Sequence, residues 1–494
     1  MSQPSLKHLT AKSIKWNIID RVSSQLLYAV TGIILARELS REAFGLIGAL
    51  TIFQSYALMM VDSGFSYALI QRKRPTETDY SSVFWFNLLI AGILYVILWF
   101  GAPLIADMFQ GDERLIPLSR VMFLSFIVNA TAIVQTNRLM KQMNFRPIAI
   151  TNTLGLVAGG VVGIWLAVSG YGAWAIVWQT IALQGVKSLS LWIYCRWWPQ
   201  MSMSWKALRS FFKIGGNMMM TTFLYVTFQN IYSFFIGNRV GLVQLGYYTQ
   251  ADKWSKLGIA SMTQVLSSSF LPALSEVQDD EVRFRRVVTK MNRFTAYLLF
   301  PCMIFLIVLA TPMFHVLFGT KWDASIILFQ LLLIRGIFTV INTLYNNYIL
   351  SLGHSRAIFW LEVLRDSAAV VGIVLALPYI SLATYDNAVY GLTILLWGQV
   401  AASAITWVAT LVVTARITKI SAWSYIRDIL PYLVSSTAIG AAVWALTFTG
   451  MGDLMLLVSQ GIMAAGMYVG VNVMFPSRIQ RDVLGYLTGK NREL

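Results

Sequence analysis

An all-α polytopic membrane protein with about fourteen transmembrane helices is the fold class that this sequence predicts, and three observations predict it. Hydrophobic residues make up 57% of the chain and charged residues only 12%, with a mean hydropathy of +0.64, whereas a soluble chain is about one quarter charged. Apolar stretches of about 20 residues, the length a hydrocarbon core demands, recur from one end to the other. These stretches are continuous rather than alternating, which reads as helices, because lipid leaves only helices and closed barrels to satisfy the backbone.

In order, the stretches fall at 14–36, 46–69, 82–107, 115–137, 148–168, 171–194, 214–237, 257–277, 294–318, 322–349, 357–380, 390–415, 429–449 and 454–475. The first is preceded by Lys7, Lys12 and Lys15 and followed by no small-residue cleavage site, so it reads as a retained anchor with its N-terminus in the cytoplasm. With that orientation, 26 of the 38 Lys and Arg residues lie in cytoplasmic segments, 7 in the opposite loops and 5 in the spans. This is the positive-inside bias, which an odd number of spans would scramble. Both termini are therefore expected in the cytoplasm. The net charge of +16 thus reports topology and does not imply a nucleic-acid partner.

No connection is long enough to be a domain, the longest being Cys195 to Lys213 and Asp279 to Arg293. The first mixes Trp197, Trp198, Trp205 and Phe211 with Arg196, Lys206, Arg209 and Lys213, a composition suited to an amphipathic segment at the membrane surface. On either side of it the sequence repeats. Ile33-Ile34-Leu35 followed by Phe44-Gly45-Leu46-Ile47 matches Phe234-Phe235-Ile236 followed by Leu245-Gly246-Tyr247-Tyr248 at an offset of 201 residues. Six crossings restore the orientation, so a parallel repeat follows. It divides the chain into a lobe at 1–194, an interfacial linker at 195–213, a second lobe at 214–418, and two further spans with a cytoplasmic tail at 419–494.

Setting aside the first and last two residues of each stretch, nine charges fall inside the spans: Asp20, Arg21, Asp62, Arg120, Lys187, Arg335, Glu362, Arg365 and Asp366. Each would cost about 2.5 to 3.5 kcal/mol at a helix centre, so they are expected to face protein or water. Asp20, Arg21 and Arg120 are shallow enough to snorkel to headgroups. Arg335 is deep in its span, with Asn342, Asn346 and Asn347 further along it, and points to a functional cavity. Lys187, accompanied by Gln179 and Gln184, and Asp62 lie at intermediate depth. Glu362, Arg365 and Asp366 share one helix face and can neutralise one another. The alternative is that a carboxylate exchanges a proton or cation during transport, for which Asp62 is the better candidate. With two acids committed to Arg365, the residual field is positive, and guanidinium groups in a low-dielectric cavity suit bidentate capture of phosphate or carboxylate. Asn217, Gln229, Asn230 and Gln399 could bond sugar hydroxyls and Trp174, Trp178 and Tyr225 could stack on sugar faces, although such residues in spans more often bridge helices or anchor interfaces.

The sequence holds no G-x-x-x-x-G-K-[ST] motif, so any driving force is an ion gradient, of H+ or Na+, or the substrate gradient itself. His8, His315 and His354 form no metal or triad pattern, and Cys195 and Cys302 stand at no framework spacing. Neither a catalytic residue, a metal nor a cofactor is expected. The Asn129-Ala130-Thr131 sequon lies inside the fourth span.

Four motifs carry a family resemblance. Val61-Asp62-Ser63-Gly64-Phe65-Ser66 running into Ala68-Leu69-Ile70-Gln71-Arg72-Lys73 resembles the end of the second span in Wzx-type polysaccharide exporters. Leu35-Ala36-Arg37-Glu38-Leu39-Ser40 to Phe44-Gly45-Leu46 resembles their first loop. Pro272-Ala273-Leu274-Ser275 to Gln278-Asp279-Asp280, with Arg283, Arg285 and Arg286, and Lys321-Trp322 entering Leu331-Leu332-Leu333 are similar to two further segments. Ser63 stands where these exporters commonly have Phe.

The resemblance covers nearly the whole chain and is nearest to the colanic-acid exporters of the polysaccharide transport family, in the MOP superfamily. It implies two six-helix lobes around a cationic cavity, with two peripheral helices, in a bacterial inner membrane. The implied cargo is an undecaprenyl-diphosphate-linked oligosaccharide, flipped from the cytoplasmic to the periplasmic leaflet. Implied partners are that substrate, membrane lipid, and a polymerase with its chain-length machinery. Carried onto this sequence, the cavity cations are Arg335, Arg120, Lys187, Arg21 and Arg365, and the candidates for ion coupling are Asp62, Asp20, Glu362 and Asp366. The rival readings are a multidrug and toxin extruder, which would favour an acidic cavity, and a membrane polymerase or ligase, which would need a long periplasmic loop or a catalytic His.

Overall fold

The computed structural model describes residues 6–62, 64–381 and 388–474, and no strand occurs among them. Ser63 of the quoted motif and the tail at 475–494 lie outside the described residues. Each predicted stretch is helical, with some interruptions. The first is α1 (Leu6–Glu38); the second is split into α2 (Arg41–Asp62) and α3 (Phe65–Gln71); the third into α4 (Glu77–Phe100) and α5 (Ala102–Met108); the fourth into α6 (Leu115–Met122) and α7 (Leu124–Lys141). There follow α8 (Phe145–Val168), α9 (Trp174–Cys195), α10 (Trp205–Arg239), α11 (Leu242–Ser275), α12 (Glu281–Phe318), α13 (Asp323–Ser351), α14 (Ser355–Ser381), α15 (Ala388–Thr418), α16 (Ala422–Trp444) and α17 (Asp453–Met474). Among the described residues, twelve helical segments are long and apolar enough to cross a membrane. The segments α9, with Gln179, Gln184 and Lys187, and α10, with Gln229 and Asn230, are not among them.

Side chains fix several helix starts. At α4, Thr76 Oγ1 accepts from the Asp79 amide at 3.2 Å while Asp79 Oδ2 accepts from the Thr76 amide at 2.8 Å, a reciprocal cap that satisfies two orphan donors. Ser204 caps α10 through the Ala207 amide at 3.3 Å, and Asp280 caps α12 through the Arg283 amide at 2.9 Å. Each such cap contributes about 1 kcal/mol.

The chain forms two compact units, Met1–Thr249 and Gln250–Leu494. In the first, α8 packs against both α1 and α9. Gly155, Gly159 and Gly163 recur every four residues on α8, and a Cβ there would meet the Leu183 carbonyl at 2.7 Å, the Gln179 carbonyl at 2.8 Å and Gln179 Cβ at 2.9 Å. Small residues at this spacing let helix backbones approach closely, the usual means of association in lipid, where burial drives nothing. On another face Gly160 abuts Thr31 of α1. In the second unit α15 packs on α13 and α14, while α16 and α17 pack on α12 and on each other through Ile439, Val443 and Ala464. Arg293 of α12 pairs with the buried Asp428 of α16 at 2.7 Å, and Tyr468 of α17 donates to the Tyr297 carbonyl at 2.7 Å. The last two helices are thus an appended pair, as expected.

The repeat is visible in the element boundaries. Helix α1 ends at Glu38 and α10 at Arg239, and α2 starts at Arg41 and α11 at Leu242, both separated by the 201 residues of the sequence match. Within the first unit the two matched starts touch reciprocally. A Cβ on Gly45 would overlap the Leu242 carbonyl, and a Cβ on Gly246 would overlap the Arg41 carbonyl. Since Leu242 is the counterpart of Arg41 and Gly246 that of Gly45, each start presents to the other the surface it receives. Arg41 Nη1 also donates to the Tyr247 hydroxyl.

The linker after α9 is pinned to the ends of α4 and α7. Trp197 is 8% exposed, its Nε1 donates to Glu77 Oε2 at 2.7 Å, and the same carboxylate oxygen accepts from Arg138 Nη1 at 2.6 Å. The Arg138 guanidinium lies over the Tyr80 and Trp197 rings at 4.9 and 5.2 Å. The amides of Gln200 and Ser204 donate to Ser81 and Ser82 Oγ at 2.9 Å. Trp198 and Trp205 are exposed instead, as an interfacial segment requires. Trp197→Phe keeps the buried ring and removes only the bond to Glu77, so it is expected to cost about 1 to 2 kcal/mol. Limited proteolysis in detergent reads this as faster cleavage between Arg196 and Ser204 at unchanged expression.

Candidate functional site

The embedded charges collect in five places. In the first unit, the α1–α8–α9 packing sets Asp20 of α1 against Asn152 of α8, whose Nδ2 donates to both carboxylate oxygens at 3.3 and 3.2 Å. Ser24 Oγ adds a third donor at 3.4 Å. Lys187 of α9 is half-buried, its Cβ lies against Gly155, and the Asp20 charge acts on it. The glycine stripe of α8 therefore brings an acid and a base from different helices into one polar patch. Arg21, next in sequence, is exposed.

Asp62 ends α2 where the helix breaks at Gly64, whose φ of 68° favours glycine. Ser66 donates to Asp62 Oδ1, and Asn137 of α7 donates to Ser66 Oγ at 2.7 Å, so the carboxylate terminates a relay from another helix. Arg120 of α6 lies 4.9 Å from the Trp99 ring centroid, its Nε 3.4 Å from the Trp99 carbonyl near the end of α4. It lies five residues from the start of the Leu115–Lys141 segment.

In the second unit, Arg365 is paired with Glu362 through Nη1 and with Asp366 through Nη2 at 2.8 Å and Nε at 3.0 Å, so these three neutralise one another on α14. Arg335 of α13 differs. Its side chain is 19% exposed, its Nη2 is 4.0 Å from Asp252 Oδ1, and its Nε has no hydrogen-bond partner. Asp252 belongs to α11 and gives its other oxygen to Lys256 at 2.6 Å. Lys253, beside the Trp254 ring at 5.6 Å, is a further base on that helix. Arg335, Asp252 and Lys256 therefore form one group of two bases and one acid. Buried polar atoms without partners continue along α13 at Asn342 Oδ1, Asn346 Oδ1 and Asn347 Nδ2, and on neighbouring helices at both amide atoms of Gln250 and at Gln399 Oε1. A buried polar atom without a partner costs about 1 to 3 kcal/mol, so a line of them marks a place that water or a ligand completes.

Asp252, Lys253 and Lys256 are not among the sequence-predicted embedded charges, because the eighth span was expected to start at 257 whereas α11 starts at Leu242. Their i to i+4 pairing of Asp252 with Lys256 is the signal that could have found them. Including them adds two bases and one acid to the charges considered. Chemically, the Arg335 group can hold an anion by charge-assisted hydrogen bonds. Among the described residues no cluster of three or more His, Cys, Asp or Glu could hold a metal.

The family model described as "Polysaccharide biosynthesis protein" matches residues 34–327, more than half of the chain. The chain belongs to this polysaccharide biosynthesis family. Among its relatives, the "Succinoglycan biosynthesis transport protein ExoT" of Rhizobium meliloti (strain 1021) is 28% identical over 360 residues, 72% of either chain. The "Lipopolysaccharide biosynthesis protein WzxC" of Escherichia coli (strain K12) is 22% identical over 335 residues, 67% of this chain and 68% of the relative. The resemblance to Wzx-type exporters read from the motifs is thereby borne out. Among solved structures, "Lipid II flippase MurJ, inward closed conformation" aligns with a TM-score of 0.71 and 17% identity over 95% of this chain and all of that one. At that identity the likeness is one of fold, a bundle of helices that cross the membrane many times.

Proposed function

We propose that the protein flips undecaprenyl-diphosphate-linked oligosaccharide units from the cytoplasmic to the periplasmic leaflet of a bacterial inner membrane, for polysaccharide assembly. The observation that carries the reading is Arg335, a guanidinium about four-fifths buried mid-helix, with an unmet donor and a second base, Lys256, joined to it through Asp252. Such a group suits the diphosphate that every lipid-linked intermediate of this kind shares, and discriminates little among sugars. Family membership supports the reading, as do a relative named a transport protein and a fold neighbour named a flippase.

In this proposal the lobes at 1–194 and 214–418, joined by the linker at 195–213, alternate in access while 419–494 stays peripheral and both termini face the cytoplasm. Arg335 is the leading cation, with Lys187, Arg120 and Arg21 assisting and Arg365 reserved to its acids. Asp62, at the end of its Ser66–Asn137 relay, is the preferred site of H+ or Na+ coupling over Asp20, Glu362 and Asp366. An ion gradient or the substrate gradient drives transport, and differential affinity between the two openings couples binding to the change of access, without bond chemistry. The flipped product is then available to a polymerase and its chain-length machinery.

Depletion in the native cell tests this. Lipid-linked oligosaccharide is expected to accumulate on the cytoplasmic face, protected from a membrane-impermeant glycosidase added to intact spheroplasts. Accumulation on the periplasmic face would assign the chain to a step after flipping, a polymerase or ligase. Unchanged intermediates with lost export of cationic dyes would assign it to multidrug extrusion.

A further inference from the structure

Asp252 is an acid in a site otherwise built to attract anions, and its geometry is incomplete. Its side chain is 13% exposed, Oδ2 is 2.6 Å from Lys256 Nζ, and Oδ1 faces Arg335 Nη2 across 4.0 Å, beyond hydrogen-bond length. Neither Asp252 Oδ1 nor Arg335 Nε finds another partner. Two buried groups of opposite charge thus stop short of the contact that would satisfy both. A purely structural pair in a low-dielectric interior gains only when its geometry is good, so this one is poorly explained as a brace for α11 and α13. Gly336 receives the Ile259 side chain where the two helices approach, one residue after Arg335 and about one helical turn beyond Lys256, so this contact already sets their separation.

We propose that Asp252 is a built-in counter-ion that holds Arg335 and Lys256 while the site is empty and is displaced from them by the diphosphate of the incoming lipid. One carboxylate bridging two cations from different helices, each through a different oxygen, occupies the position that two adjacent phosphoryl groups would take. The carboxylate carries one negative charge and the diphosphate at least two, and the diphosphate also supplies acceptors for the unmet Nε, so the ligand wins when present. In the empty state Asp252 spares the protein an uncompensated and largely buried Arg335, and when the ligand leaves it reclaims both cations. Affinity is thereby held low enough for release. The inference rests on reading Arg335 as a substrate-binding residue.

The test uses the full-length protein in lipid nanodiscs, with geranylgeranyl diphosphate as the probe and geranylgeraniol as the uncharged control. Asp252→Asn is expected to bind the probe about tenfold more tightly, since it removes one competing charge worth about one decade of affinity. Asp252→Glu, whose longer arm closes the gap to Arg335, keeps the charge and the fold and is expected to bind several-fold more weakly. Arg335→Gln is expected to lose most of the affinity, and geranylgeraniol to bind all variants alike. If Arg335→Gln leaves probe binding unchanged, both the site and the counter-ion are overturned. If it abolishes binding while Asp252→Asn fails to tighten it or Asp252→Glu fails to weaken it, the site stands and the counter-ion role falls. A parallel shift with geranylgeraniol would also overturn it, by showing that the change lies in the hydrocarbon contact.

Discussion

Replacing Arg335 by Met is expected to cut polysaccharide export at least tenfold while the protein's thermal stability stays level or rises. The reasoning starts from depth. Arg335 lies twelve residues from the start of α13 and sixteen from its end, about 18 and 24 Å at 1.5 Å per residue, beyond the reach of a snorkelling side chain. On insertion scales such a group costs about 2.5 to 3.5 kcal/mol at the span centre. Among the described residues its near anion is Asp252, which is already satisfied on one side by Lys256, so removing Arg335 leaves no lone buried charge there. Replacing poorly paired buried ions by apolar groups of similar volume is often neutral or stabilising by about 1 to 4 kcal/mol. Opposite movement of stability and export separates a binding cation from a brace, for which both would fall. Complementation of an export-deficient strain, together with unfolding in detergent, measures the two. Export at the wild-type level with normal abundance would remove Arg335 from the site. Arg120, held by Trp99 near a helix end, is expected to show a smaller loss.

Gly45→Ala and Gly246→Ala are each expected to destabilise the protein by about 3 kcal/mol or more, the upper part of the range for overpacking. At both positions the added methyl meets a backbone carbonyl of the opposite helix, which cannot rotate away as a side chain would. The helices must separate, and each separation also relieves the other site. The double variant is therefore expected to cost clearly less than the sum of the singles, a coupling that thermal unfolding of the four proteins measures directly. Gly92→Ala on α4, where nothing lies within 4 Å of the new atom, is the control. It is expected to be neutral or to gain up to about 1 kcal/mol from helix propensity. Additive losses at Gly45 and Gly246 would deny the reciprocal contact.

The helices were legible because lipid imposes one requirement, an apolar run of sufficient length, and the chain meets it throughout. Their interruptions were not. Gly64 breaks the second span and Gly101 the third, yet neither glycine stands out among the 34 in the sequence. The start of α11 was hidden by the same chemistry that makes it interesting. Asp252, Lys253 and Lys256 lower the local hydropathy and resemble a loop. The 201-residue repeat held the remedy, since carrying the match from Phe44-Gly45 to Leu245-Gly246 already placed a helix start near Leu242. Arg335 could be singled out from depth alone. Its companions could not, because which side chain on α11 faces it depends on helix rotation, which packing at Gly336 and Ile259 decides. The Asp20–Asn152 contact was equally invisible, as it joins residues 132 positions apart through a glycine stripe whose partner helix a single sequence does not name.

The clasp around Trp197 carries a consequence for biosynthesis. Its receiving parts, Glu77, Tyr80, Ser81, Ser82 and Arg138, all precede it in the chain, so they have left the ribosome and entered the bilayer before the tryptophan is made. The partners of its hydrogen bond and ring contacts are thus made first, and only the apolar packing of Ala207, Leu208 and Phe211 at the start of α10 follows. The first six spans can accordingly be sealed at that face while the seventh is still being translated, which fits the tendency of nascent chains to fold from the N-terminus in units. The second half of the repeat then begins its insertion from a fixed point of attachment, with the starting position of α10 set by a structure already complete.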